Sequence, residues 1–538
     1  VAMADTMVAL GMAVDGGKDS LSMAAQRPGG LVKAPGQLVV APYAVTEDVR
    51  RAITPDLKSE SSRLMLIDLS GGRTRLGGSA LAQAFGQIGN EVPDLEDVEL
   101  LNRTFKAVQK LNAKGLVRAL HDRSDGGLVV CAIEMALAGN LGLELELPAA
   151  KDEMAALFNE ELGLVIEVAD SDVAAVTKLL DGENVPHAEI GRVGKPGAAV
   201  RISAGGQELL NQPLHQLRGL WEATSTQLDR RQANPESVES ESAILNAPRV
   251  APDWKLTYQP AAGLATTPKP GSGAPKVAVV REEGNNSDRE MAAAFAAAGF
   301  DAWDVNTYDL ATGKVTLDQF RGVVFPGGFS FGDVLDSGKG AAAVIKYNPV
   351  LAEQFAAFHA RKDTFSLGVC NGAQLMAFLG WAPFAELPDD AKPRFIHNAS
   401  GRFESRFVSL EIQESPAIMF AGMAGSRLGA WVAHGEGRVH VPKPETMKQI
   451  VAGNLAPLRF VEPGGGATER YPFNPNGSPQ GITGLCSPDG RHLAIMPHPE
   501  RSANAMWQWP WLPEGWSKLP ASPWLRMFQN AYAWCQKN

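Results

Sequence analysis

The sequence predicts an α/β protein. A doubly wound, mostly parallel sheet fills the C-terminal half, and an α+β domain precedes it. Three observations carry that expectation. Short apolar or β-branched runs recur at "KVAVVRE" (276–282), "RGVVFPGGFSFGD" (321–333) and "TFSLGVCNGAQLMAFLG" (364–380), each leading into a polar or glycine turn. Helix-like runs separate them, the alternation that builds a parallel sheet. Upstream, strand-like and amphipathic helical runs are mixed without that regularity.

Taken in chain order, residues 1–54 read as the tail of a preceding, truncated subdomain, because "VAMADTMVALGMAVDGGKDSLSMAA" (1–25) runs from a helix-like stretch into a glycine turn with no capping segment ahead of it. Residues 55–225 form the α+β domain. Its strands are expected in "RLMLIDL", "GLELELP" and "ELGLVIEV", and a helix in "LLNRTFKAVQKLNAKG" (100–115). Residues 226–274 are a connector. Pro235, Pro248, Pro252, Pro260, Pro268 and Pro270 fall there, with Pro275 at its end, and proline at that density continues neither a helix nor a central strand. Its first third has room for a short helix. From 275 to 538 the α/β pattern holds. Ser287 and Glu290 are spaced as a capping box, Gly299 is a natural helix stop, and "HLAIMPHPE" closes a late strand.

The bulk properties exclude several classes. A chain of 538 residues exceeds one compact core. Its net charge of -10 argues against nucleic-acid binding, and no apolar run approaches the roughly 20 residues of a membrane helix. Cys131, Cys370, Cys486 and Cys535 lie far apart without metal-ligand spacing, which favours a reducing, cytoplasmic setting over a disulfide framework.

Cys370 stands apart from the other three. A strand delivers it to a turn, Gly368 and Gly372 flank it at i-2 and i+2, and a helix starts at Asn371. Small neighbours suit a strained backbone packed close to a nucleophile, and a helix amino end favours thiolate. The plainer alternative is a buried small hydrophobe. His498 and Glu500 in "IMPHPER" can stand together at a strand end as base and orienting carboxylate, although His-Pro-Glu alone is usually a surface turn. Gly327 and Gly328, with the amide of Asn371, can direct N–H groups at an oxyanion, although a glycine pair after a strand is usually only a turn.

Upstream, "HDRSDGG" (121–127) offers Asp122, Ser124 and Asp125 as oxygens for Mg²⁺ or as caps of the helix that follows, capping being the default for Ser124 and Asp125. "DGGKDSLSM" (15–23) offers Gly16, Gly17, Lys18 and Ser20 as a weak phosphate cradle without Walker A spacing.

Together the C-terminal signatures resemble the triad, or class I, glutamine amidotransferases, whose Gly-x-Cys-x-Gly-x-Gln elbow matches Gly368, Cys370, Gly372 and Gln374. Within that class, "FIHNASGRFESRF", "WVAHGEGRVH", "YPFNPNGSPQGITGL" and "IMPHPER" are similar to the glutaminase of the phosphoribosylformylglycinamidine synthase family; "GKDS" and "HDRSDGG" resemble the same family's aminoimidazole-ribonucleotide-synthetase-like part. The resemblance implies a carbon–nitrogen ligase of purine synthesis that uses ATP, giving ADP, and Mg²⁺ to join ammonia from glutamine to formylglycinamide ribonucleotide. It implies Cys370 as nucleophile, His498 as proton shuttle and Glu500 as its orienter. Gln374, Asn398, Ser400, Arg402 and His434 would form the glutamine pocket. Asp122 would bind the metal, and Ser124, with Lys18, the nucleotide. Ala373 departs from large members that carry a second cysteine there. On this reading the chain is a C-terminal portion that needs the synthetase domains ahead of it as partner. The alternatives are a glutaminase-only or non-catalytic fragment, and a different Cys-His hydrolase on a similar sheet.

Overall fold

The computed structural model describes residues 2–19, 22–34, 36, 38–264, 266, 268, 273–503 and 508–538. The chain forms two units: Val1–Ala223 with Ile244–Arg249, and Thr224–Ala243 with Val250–Asn538.

In the first unit, a seven-stranded sheet consists of β1 (Arg63–Asp68), β2 (Ala119–Asp122), β3 (Leu141–Leu147), β4 (Gly163–Val168), β5 (His187–Pro196), β6 (Val200–Ala204) and β7 (Gln207–Gln212), in the order β7-β6-β3-β5-β1-β4-β2. Only β3 and β6 pair in parallel. Alternation along β1 sends Leu64 into one apolar cluster and Met65 and Ile67 into another, so the sheet buries both faces. Helix α1 (Val98–Ala113) is capped by the Asp97 carboxylate on the Leu100 N–H and buries Thr104, Ala107, Val108 and Leu111, one stripe at helical spacing. Helix α2 (Gly127–Gly139) buries most of its residues. Ser124 and Asp125 do not cap it, contrary to the sequence expectation. Its cap position is Gly126, in the left-handed region and without a side-chain bond, and the Gly127 N–H donates to the Ser124 carbonyl at 2.9 Å. Ahead of the sheet lie a helix, Ala2–Leu10, and two antiparallel ribbons, Gly16–Asp19 with Leu38–Ala41 and Ala24–Arg27 with Gly30–Lys33. Val8, Leu31, Val32, Leu38 and Val39 are exposed there.

Along the chain, α3 (Leu214–Asp229) and α4 (Pro235–Leu245) follow that sheet. Residues 250–264 lie on the second unit, where Trp254 is buried, stacks on Trp511 and donates its indole N–H to Ser409 Oγ at 3.0 Å.

The second unit contains β8 (Lys276–Arg281), β9 (Asp301–Asn306), β10 (Gly322–Phe325), β11 (Phe365–Val369), β12 (Glu404–Ile412), β13 (Arg427–His434), β14 (Leu458–Phe460), β15 (Ile482–Cys486) and β16 (His492–Ile495). They form one sheet in the order β9-β8-β10-β11-β16-β15-β14-β12-β13. From β9 to β16 the pairings are parallel; from β16 through β15 and β14 to β12 and β13 they are antiparallel. The parallel strands β8, β10, β11 and β16 are nearly all buried and read as continuous apolar runs. Each large apolar side chain buried there contributes roughly 1.5–3 kcal/mol. Helix α5 (Asp288–Ala298) ends at Gly299 in the left-handed region, as expected. The expected capping box at its start does not form. Ser287 has a left-handed φ of 61°, and its hydroxyl instead accepts the Gly327 N–H.

Candidate active site

Strand β11, buried at all five residues, delivers Cys370 to the sheet's carboxyl edge. The Cys370 N–H still donates to the Ile495 carbonyl of β16 at 2.8 Å, and then the backbone turns sharply, with φ 54° and ψ -109°. That is an unfavourable conformation for a residue with a Cβ, and strain of this kind gathers at functional sites. The flanking glycines are required by contact: a Cβ on Gly368 would run into the Gly372 carbonyl, and one on Gly372 into that of Phe325. Helix α6 (Asn371–Leu379) starts at the next residue, so its unpaired amide groups gather beside the cysteine. The thiol is 5% exposed and lies 3.5 Å from the Ala433 carbonyl of β13. The other three cysteines are buried thiols pushed up to about 12 by desolvation, and so are inert at neutral pH.

His498 follows β16, is held by its N–H on the Trp431 carbonyl at 2.8 Å, and is buried with Glu500. Its Nδ1 lies 2.6 Å from Glu500 Oε1, which fixes the tautomer and leaves Nε2 without an acceptor of good geometry. Burial of the ring opposes its charge. The Glu500 carboxylate, with the neighbouring Cys370 sulfur as a further partner, outweighs burial and raises the His498 pKa to about 9. A Cβ built on Gly327 would lie 2.6 Å from His498 Cε1 and 3.5 Å from Cys370 Cβ, so the turn after β10 closes over both groups.

Of the expected oxyanion groups, Gly327 lies against this point and Asn371 follows Cys370 directly. The Gly327 N–H donates to Ser287 Oγ at 3.3 Å, and Gly328 has a left-handed φ of 133°. The Asn371 side chain braces the turn: its Oδ1 accepts from Ser330 N–H and Asn285 Nδ2, and its Nδ2 donates to Gln374 Oε1 at 3.1 Å. Gln374 in turn donates to the Glu436 carbonyl at 2.6 Å. Asn398 spends its amide within the fold, on the carbonyls of Arg402 and His434 and the N–H of Gly437. Arg402 donates to Tyr471 Oη at 2.7 Å. Two of the expected pocket groups keep unsatisfied atoms among the described residues: Ser400 Oγ, and Nδ1 of His434. Burial, with the charge of His498, pushes His434 down to about 3 and keeps it neutral, while its Nε2 accepts from Asn476 Nδ2 at 3.2 Å. An open cavity of about 320 Å³ lined by Ser405, Trp431, Ala433 and Arg501 reaches the same Ala433 that meets the thiol.

Sequence reasoning missed the part played by Ser287, Asn285 and Asn476. Ser287 has a local signal that points elsewhere, to a helix cap. Asn285 and Asn476 act on partners 42 residues away, at Gly327 and His434 respectively, and spacing carries no sign of either.

In the first unit, Asp122 ends β2 with a carboxylate 70% exposed, and Ser124 Oγ is 3.5 Å from the Asp122 carbonyl. Lys18 is exposed on the Gly16–Asp19 ribbon, and Ser20 lies outside the described residues. Asp122 belongs to no group of three potential ligands among the described residues; the one such trio, Asp336, His397 and Glu436, is in the second unit. Among the described residues, no helix is long and apolar enough to cross a membrane.

Residues 274–535 match the family model of a CobB/CobQ-like glutamine amidotransferase domain, and residues 63–203 match that of the AIR synthase related protein, C-terminal domain. A probable phosphoribosylformylglycinamidine synthase, chloroplastic/mitochondrial, of Arabidopsis thaliana is 51% identical over 548 residues, covering 100% of this chain and 38% of its own. The chain is homologous to the phosphoribosylformylglycinamidine synthases. That of Homo sapiens is 48% identical over 550 residues, covering 99% of this chain and 41% of its own. The solved structure of PurLQS from Thermotoga maritima is 25% identical, covers 48% of this chain and 97% of that one, and has a TM-score of 0.36. The chain thus spans about two fifths of the length of these curated synthases.

Proposed function

We propose that the chain carries the glutaminase, and part of the synthetase, of phosphoribosylformylglycinamidine synthase. The full reaction converts formylglycinamide ribonucleotide, glutamine and ATP to formylglycinamidine ribonucleotide, glutamate, ADP and phosphate. The observation that carries the reading is the buried arrangement at the sheet edge. Cys370 is strained at the start of α6, and His498 is held 2.6 Å from Glu500 with the Cys370 sulfur as the further partner of its ring.

The chemistry follows from those positions. The Cys370 sulfur, its thiol proton passed to His498 Nε2, attacks the side-chain amide carbon of glutamine, forming a C–S bond and moving the carbonyl electron pair onto oxygen. The amide N–H groups of Asn371, Gly328 and Gly327 would receive the developing charge, that of Gly327 by exchanging its bond to Ser287 Oγ for one to the oxyanion. His498, protonated at neutral pH because its pKa is about 9, gives its proton to the amide nitrogen. The C–N bond breaks, ammonia leaves, and a glutamyl thioester remains. A water molecule, deprotonated by His498, attacks the thioester; the C–S bond breaks and glutamate departs. Glu500 orients the ring and balances its charge. Gln374 and Asn398 shape the pocket wall, Ser400 Oγ and His434 Nδ1 offer it unpaired polar atoms, and Arg402, paired with Asp229, Glu241 and Glu404, braces the loop that carries Ser400.

In the synthetase, ATP phosphorylates the amide oxygen of formylglycinamide ribonucleotide and ammonia displaces the phosphate. Asp122 suits Mg²⁺, and Ser124 with Lys18 a nucleotide, but one exposed carboxylate supplies only a fraction of the octahedral oxygen shell that Mg²⁺ takes. Residues ahead of this stretch in the longer synthases would complete such a site. The four cysteines are unpaired, as a reducing setting allows.

The test is glutamate release from glutamine, with hydroxylamine present to trap the thioester as hydroxamate. The parent chain yields both products, and Cys370→Ser yields neither. Glutamate release by Cys370→Ser at the parent rate overturns the reading.

A further inference from the structure

Residues 204–273 lie between the two family matches, yet part of this stretch packs against the glutaminase. Asn234 precedes α4, and its Oδ1 accepts the N–H groups of Glu236 and Ser237 at 2.9 and 3.3 Å, capping the helix. The cap fixes the amide, and its Nδ2 donates to the Ala399 carbonyl at 3.0 Å. Further along the helix, Ser240 Oγ donates to the Tyr471 carbonyl at 2.6 Å. Glu241 pairs with Arg406 at 3.3 Å and with Arg402 at 3.7 Å. Arg402 and Arg406 both donate to Tyr471 Oη, and Tyr471 donates to Glu404, which is 1% exposed and pairs with His434 across the β12–β13 register.

Two of these contacts reach the loop Asn398–Arg402 directly, Asn234 at Ala399 and Glu241 at Arg402, while Ser240 and Arg406 meet Tyr471, to which Arg402 donates. The loop's inner side is held by the amidotransferase fold itself: Asn398 N–H donates to Gly435, and Ala399 N–H to Asn476. Its outer side is held by Asn234 and Glu241. Between the two stands Ser400, 2% exposed, with an Oγ that has no hydrogen-bond partner among the described residues. A buried hydroxyl left unpaired is costly unless a ligand completes it.

We propose that Asn234, Ser240 and Glu241 are positioning residues of the glutamine site, a clamp outside the amidotransferase domain that fixes the loop Asn398–Arg402. The proposal rests on the glutaminase reading above and names which neighbouring segment sets its affinity.

Asn234→Asp in the whole chain is the decisive variant, because it keeps the capping oxygen and loses the N–H that holds Ala399. Its KM for glutamine rises about fivefold, the scale of one hydrogen bond, with kcat within about twofold. Hydrogen exchange at residues 398–402 accelerates by a similar factor, while β11 is unchanged. Glu241→Gln acts in the same direction. Glu239→Gln, which removes only the pair with Arg230, changes neither. Unchanged KM and unchanged exchange in Asn234→Asp would overturn the proposal. Faster loop exchange in Asn234→Asp than in a parent chain that itself releases no glutamate would keep the clamp and remove the glutaminase reading instead.

Discussion

Two turns of this chain have the same plan, a strand, then glycines, then an apolar helix, and end in opposite conditions. After β11 the turn holds Cys370 at 5% exposure, with His498, Glu500 and the Gly327 turn packed around it. After β2 the turn holds Asp122 with its carboxylate 70% exposed, and the hydroxyl of Ser124 at the limit of hydrogen-bond distance. The difference lies in what each sheet brings to the strand end. In the second unit successive parallel pairings point β8, β10, β11 and β16 the same way, so their terminal residues converge. Among the described residues of the first unit, β2 is an edge strand paired antiparallel to β4 alone, with nothing of its own sheet beyond it. A parallel sheet assembles a site from its own strands, whereas an antiparallel edge only offers donors to something else.

The largest expected effect tests the assembled turn. Cys370→Ser lowers glutaminase turnover by about 10⁴-fold or more, since the hydroxyl lacks the ready ionisation of a thiol. Hydroxamate formation vanishes with it. Turnover within tenfold of the parent would mean that the turn is only a packing device, like the one after β2.

Glu500→Gln comes next, at about 10² to 10⁴-fold in kcat, because the amide keeps the ring's orientation and removes its charge partner. Burial already opposes protonation of His498, and the carboxylate is what lifts its pKa to about 9. Without it the His498 pKa falls from about 9, with only the Cys370 sulfur left to oppose burial, and NMR of labelled histidine reads the fall directly. In the parent, a His498 pKa raised from 6.5 to about 9 contributes stability that is complete below 6.5 and is lost as pH rises through 9. His434 and His492, both pushed down to about 3 by burial, act oppositely: the unfolded chain takes up protons that the folded one refuses, so stability falls as pH drops below 6.5. Calorimetry should therefore find the highest melting point of the second unit near pH 6.5, with the alkaline slope reduced in Glu500→Gln. A slope that does not change would remove the ion pair from the argument.

Gly327→Ala, at about 10²-fold, asks whether closeness alone matters. Its added methyl would sit 2.6 Å from His498 Cε1 and must push the ring from its place. The melting point should move little compared with turnover. Equal losses in both would indicate general damage.

How much of this was legible depends on the range of the signal. The elbow was readable because its requirements are local: a strand, a cysteine and glycines at i-2 and i+2. His498 and Glu500 were readable because two residues carry base and carboxylate together. The helix caps misled for the same reason. Ser287, and Ser124 with Asp125, have capping identity and spacing, but the Ser287 hydroxyl turns to the N–H of Gly327, 40 residues away, and a glycine takes the cap position of α2. Asn476, which holds His434 from 42 residues away, left no trace in spacing at all. The same limit applies to the antiparallel half of the large sheet, where pairing joins β16 to β15 and β14 to β12 rather than following an alternating strand–helix rhythm.

The smallest effect belongs to the other turn. Asp122→Ala leaves glutaminase turnover within about twofold and the melting point nearly unchanged, because an exposed surface carboxylate contributes within about 0.5 kcal/mol. What it should lower is the affinity for a Mg²⁺–nucleotide, measured by titrating ATP with Mg²⁺ into the chain and into a longer form made by joining to it the residues that precede the matched stretch in a curated synthase. If the edge strand offers its donor to residues outside this chain, the longer form binds strongly and loses about tenfold or more with Asp122→Ala, while the present chain binds weakly whether or not Asp122 is there. Strong binding by the present chain alone, abolished by the substitution, would mean that the first unit completes its own site and would erase the contrast between the two turns. Binding by the longer form that ignores Asp122 would leave its carboxylate as an ordinary surface group.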